Sequence, residues 1–69
     1  MDVLQISLAA ARVNARMTQE DVSRCLHVGK QTIANWEKGK VLPSFASLKM
    51  LSDLYGISVD NFLLPSKST

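Results

Sequence analysis

The chain has 69 residues, 46% of them apolar, a net charge of +2 and one cysteine. Such a length allows one domain, near the lower limit for a self-sufficient core, and the apolar share argues against disorder. A lone cysteine excludes an internal disulfide, no apolar run approaches the roughly 18 residues of a membrane span, and the N-terminus does not read as a secretory leader, so a soluble cytoplasmic protein with no membrane partner is expected.

Every segment reads as helix, and no stretch alternates apolar and polar long enough to make a convincing strand. Residues 1–3 are a tail. Leu4, Leu8, Ala11 and Ala15 recur at helical spacing and predict a first helix over about 4–15 with that stripe inward. Ile6, Ala10 and Val13 share its opposite side, either packing on the C-terminal helix and tail or forming a partner surface. Thr18 then opens a second helix: its hydroxyl can cap, and Glu20 and Asp21 suit the positive end. Val22, Cys25 and Leu26 are its expected inner face, with Cys25 an inert core residue.

His27-Val28-Gly29 is a short break. Lys30 to about Lys38 is a third helix ending near Gly39. Pro43-Ser44 starts a fourth, with Phe45, Leu48, Leu51 and Tyr55 facing in and Gly56 ending it. Ser58 caps a last short helix anchored by Phe62 and Leu63, and residues 65–69 are a polar tail. The expected fold is all-α, a compact five-helix domain over residues 4–64.

The third helix carries the informative chemistry. At 100° per residue, Lys30, Gln31, Ala34, Asn35 and Lys38 fall within an arc of about 140°, with Ile33 and Trp36 opposite. The helix is anchored by two apolar residues and offers hydrogen-bond donors with a small residue at the centre. That suits a DNA major groove. Lysine donates to guanine edges or phosphates, glutamine and asparagine can pair twice with adenine, and alanine allows close approach to a thymine methyl. Charge agrees: residues 30–49 carry Lys30, Lys38, Lys40 and Lys49 against Glu37, a net +3, while residues 1–29 balance to zero and residues 50–69 carry −1. A merely solvated face is the plain alternative. What favours the groove is the preceding unit, a capped helix and a three-residue break, since two helices joined this way form a helix-turn-helix, here about residues 18–38. Glu37 lies beside Ile33, toward the inside, and is expected to be paired.

"TQEDVSRCLHVGKQTIANWEKGKVLPS" with "LSDLYGISVDNFLL" resembles the lambda-repressor/Cro-type, XRE-like helix-turn-helix family of bacterial and phage regulators, over about residues 4–64. The resemblance implies a five-helix DNA-binding domain and assigns roles. Lys30, Gln31, Ala34 and Asn35 would meet bases. Gln19, Gly29, Thr32, Lys38 and Lys40 would meet phosphates, Gln19 through its side chain and the start of its helix. Arg12 and Glu37 match a structural ion pair joining the first helix to the end of the third. His27 stands where the family favours glycine, so a positive φ with mild strain is expected. Arg16 replaces a turn glycine, and its charge either reaches phosphate or sits in water. Gly29 gives up a side-chain cap at a cost of roughly a few tenths of a kcal/mol.

The function expected is a sequence-specific double-stranded-DNA-binding regulator, of phage or prophage repressor type, acting as a homodimer on a palindromic operator. By resemblance the dimer surface lies around residues 61–64. Its alternative is an interaction module that keeps the fold but binds another protein. No cofactor or small-molecule ligand is implied. A catalytic site is not expected: the sequence lacks a paired-carboxylate site, a metal-spaced His/Cys set, and, because "GKQT" has no upstream glycine, a phosphate loop.

Overall fold

The structure, a computed structural model, describes residues 5–64. Elements run β1 (Ile6–Ser7), α1 (Leu8–Asn14), α2 (Gln19–Leu26), α3 (Lys30–Lys38), α4 (Phe45–Tyr55), a 3-10 turn (Val59–Asn61) and β2 (Phe62–Leu63). Four α-helices are thus present among the described residues. The expected fifth is a single 3-10 turn, capped by Ser58 as anticipated through its Oγ, which accepts from the Asp60 N–H at 3.3 Å.

The first helix begins later than its apolar spacing suggested. Ser7 is its N-cap, with extended φ/ψ and an Oγ that accepts from the Ala10 N–H at 3.1 Å. Ahead of it the chain is extended, and Ile6 and Ser7 pair in parallel with Phe62 and Leu63. This corrects the expectation of no strand: two residues are too few for any alternation to show in sequence. It also supplies cover for Ile6, which is half-buried against the core, while Ala10 and Val13 stay exposed. Leu4, and the tails at residues 1–3 and 65–69, lie outside the described residues.

The remaining boundaries follow their caps. Thr18 and Asp21 form a reciprocal capping box: Thr18 Oγ1 accepts from the Asp21 N–H at 3.0 Å and Asp21 Oδ2 accepts from the Thr18 N–H at 2.9 Å. Ser44 caps α4, its Oγ accepting from the Ser47 N–H at 3.1 Å. Gly39 and Gly56 close α3 and α4 in the left-handed conformation, with φ of 81° and 70°.

Each helix contributes two side chains to one core: Leu8 and Ala11, Val22 and Leu26, Ile33 and Trp36, Leu48 and Leu51. Phe62 completes it from β2 and meets Tyr55 edge to face, with ring centroids 6.4 Å apart. Three expected core positions are corrected. Cys25 is exposed, because α2 buries only the stripe through Val22 and Leu26. Phe45 is 71% exposed, since it sits in the first turn of α4 before that helix reaches the core. Leu63 is 52% exposed, because strand neighbours point to opposite sides and Phe62 takes the inner one.

Candidate nucleic-acid interface

The helix-turn-helix is built by short-range bonds. α2 ends at His27, whose φ of 58° and ψ of 41° are left-handed, and whose N–H donates to the Ser23 carbonyl. Histidine tolerates this conformation better than most non-glycine residues. Arg16, exposed in the turn between α1 and α2, also has positive φ, 60°, where the resemblance implied a glycine. Ser23 ties the turn a second time: its Oγ donates to the Val28 carbonyl at 2.7 Å, while the Val28 N–H donates to the Ser23 carbonyl at 3.1 Å. Nothing in the spacing of α2 singles out Ser23. Only the geometry shows that its hydroxyl reaches the turn.

Gly29 is the N-cap of α3, with extended φ/ψ and no side-chain bond. Ile33 and Trp36 fix the helix to the body, at 1% and 6% exposure. The opposite flank is open. Lys30, Gln31 and Lys38 are exposed, while Ala34 and Asn35 are half-buried between them. Gln31 Nε2 donates to Asn35 Oδ1 at 3.1 Å, one helical turn apart. Among the residues assigned to phosphate, Gly29 and Lys40 are exposed and Thr32 is half-buried. Lys40 follows Gly39, and its N–H returns to the Asn35 carbonyl at 3.0 Å, so the chain leaves α3 in a fixed direction.

Beneath this flank lies the ion pair. Arg12 Nε donates to Glu37 Oε2 at 2.7 Å and Nη2 to Glu37 Oε1 at 3.3 Å. Arg12 Nη1 donates to the Met17 carbonyl at 2.9 Å, so α1, the α1–α2 turn and α3 are joined through one guanidinium. The side chains are 16% and 8% exposed. Glu37 holds the Arg12 guanidinium's pKa above its ordinary value, keeping it charged. Asp21, in the capping box, is held below the usual carboxylate range by the Thr18 backbone and side-chain bonds.

The Gln19 side chain turns inward, toward Glu37. It is half-buried and its Nε2 donates to Glu37 Oε1 at 3.0 Å. The amide therefore extends the ion pair and ties the first residue of α2 to the last turn of α3. A hint was available: an inward carboxylate has more acceptor sites than one arginine fills. A depression of about 410 Å³ lies where the two helices approach, lined by Arg12, Thr18, Gln19, Glu20 and Lys30. Among the described residues no His, Cys, Asp or Glu cluster is arranged to hold a metal ion, and no helix is long and apolar enough to cross a membrane.

Known proteins show the same pattern. The family described as Helix-turn-helix matches residues 8–62. The chain is 34% identical over 56 residues to the HTH-type transcriptional activator BcrR of Enterococcus faecalis, a match that covers 81% of this chain and 28% of that protein. No solved structure matches. With its capped α2, left-handed turn and anchored α3 all inside the matched span, the chain belongs to the XRE-type helix-turn-helix family.

Proposed function

We propose that this domain binds double-stranded DNA in the service of transcriptional regulation and reads sequence by laying the open flank of α3 in the major groove. The observation that carries the proposal is the two-sidedness of α3. Ile33 and Trp36 are buried, and the other side presents Lys30, Gln31, Ala34, Asn35 and Lys38. The amides and Lys30 read base edges, and Ala34 sets the approach distance. The Gly29 backbone, Thr32, Lys38 and Lys40 meet phosphates and fix register. Gln19 joins them through its remaining amide hydrogen or the free N–H groups at the start of α2.

One such helix touches few base pairs, so the domain works as a homodimer on a palindrome, with recognition helices about 34 Å apart. Leu63, exposed at 52%, lies within the segment assigned to the dimer surface. Occlusion of a promoter by the bound dimer would repress it. The matched relative is named an activator, and groove reading by α3 serves either outcome.

Exposed Val41, Leu42 and Phe45, just past the end of α3, favour a second reading, a module that binds another protein. Salt separates the two. Selection from a random duplex library supplies a site, and affinity is then followed by fluorescence anisotropy against salt. DNA binding should weaken steeply as salt rises, because counterions leave the duplex. Lys40→Ala should weaken all duplexes alike and shallow the log–log salt slope by about one. If no duplex is retained even at low salt, groove reading is wrong.

A further inference from the structure

We infer that Gln31 and Asn35 are not two independent base readers but one unit, in which Asn35 orients the Gln31 amide toward adenine; this rests on the groove-reading function above and specifies its target. The carrying observation is the bond from Gln31 Nε2 to Asn35 Oδ1, 3.1 Å long, on the open flank of α3.

The donor and acceptor inventory decides what each side chain can still do. A primary amide has two N–H donors and one carbonyl acceptor. Gln31 commits one hydrogen to Asn35. It keeps its carbonyl and one N–H, and when the hydrogen given away is the one remote from the carbonyl, these two lie side by side on one edge. That edge matches adenine in the major groove, where N6 donates and N7 accepts. Guanine offers two acceptors there, so it cannot satisfy the carbonyl.

Asn35 commits part of its carbonyl and keeps two N–H donors. It therefore acts toward DNA chiefly as a donor, to thymine O4 or a purine acceptor on a neighbouring pair. The arrangement also fixes which end of Gln31 points where. A free glutamine amide can turn over, exchanging donor for acceptor and reading adenine less selectively. With Asn35 Oδ1 turned toward it, Gln31 must present its nitrogen end, so the bond as formed selects one orientation of the glutamine amide. Asn35 is half-buried beside Ala34 and has less freedom than exposed Gln31, which makes it the fixed partner.

Selection from a random duplex library tests this, with the intact chain, Gln31→Ala, Asn35→Ala and the double variant, each checked for helical content by circular dichroism. The intact chain should enrich sites holding an adenine at the position where Gln31→Ala loses preference. Asn35→Ala should lose adenine preference at that same position, besides any at its own. Each single variant should weaken binding to the selected site by about five- to 150-fold, the range one bidentate base contact commands. The double variant should fall close to the weaker single variant rather than to the product of both losses. If Asn35→Ala leaves the adenine preference intact and the losses multiply, the two amides read separately and the inference is wrong while groove reading stands. If the intact chain enriches no sequence, both fall.

Discussion

Replacing Glu37 with alanine probes the joint that orients the recognition helix. Glu37 accepts three side-chain hydrogen bonds, two from Arg12 and one from Gln19. Its removal leaves a guanidinium only 16% exposed without its counter-ion. Breaking one partner of a fully buried pair costs about 3–5 kcal/mol, and this pair is partly buried. Arg12 keeps the Met17 carbonyl and some solvent contact, which puts the loss at the low end, about 3 kcal/mol. A domain of 69 residues has about 3–10 kcal/mol in total. The variant should therefore melt about 12–24 °C lower. Thermal unfolding followed by far-UV circular dichroism at neutral pH gives the value. Replacing both partners with leucine should be milder than removing Glu37 alone, because no charge is left stranded. A Glu37→Ala variant melting within about 4 °C of the parent, or a double variant losing the full total of both single changes, would refute the stranded-charge reasoning.

Gly29→Ser should stabilise the fold by a few tenths to about 1 kcal/mol, seen as a higher urea midpoint. Gly29 has φ of −70°, and an added Cβ meets nothing nearer than Thr32 Oγ1 at 3.8 Å, an ordinary contact. A lower midpoint would mean that the hydroxyl does not cap α3. Burial, reinforced by the Glu37 carboxylate, pushes the Tyr55 phenol up to about 12 from 10.0. The folded state holds this proton more tightly than the unfolded state does, so the stability it confers is complete below pH about 10 and is lost as pH rises through about 12. Melting temperatures between those pH values should fall more for the parent than for Tyr55→Phe; parallel falls would show that the phenol is not responsible.

The capped boundaries and the two-sided third helix were legible in the sequence because they rest on local chemistry. Thr18, Ser44 and Ser58 cap neighbouring N–H groups, Gly39 and Gly56 relieve a left-handed backbone, and Ile33 and Trp36 stand opposite the donor flank whatever the rest of the fold does. The Arg12–Glu37 pair came from resemblance supported by the inward position of both residues. What sequence did not disclose depends on distant segments. Cys25 and Phe45 fit apolar spacing, yet burial requires an opposing surface, and among the described residues no other element covers them. The Ile6–Ser7 and Phe62–Leu63 pairing joins the two ends of the described chain and is too short to leave a period. The bond from Gln19 to Glu37 depends on the packing of α2 against α3, which brings the two within 3.0 Å.

The central claim, that the flank of α3 opposite Ile33 and Trp36 enters the groove, is tested most directly by titrating isotope-labelled protein with the selected duplex and following its NMR spectrum. The side-chain amides of Gln31 and Asn35, and the backbone amides of residues 29–35, should move most, with the C-terminal half of α4 nearly still. Movement centred on α4 and the 3-10 turn, with the Gln31 and Asn35 amides unchanged, would contradict the account.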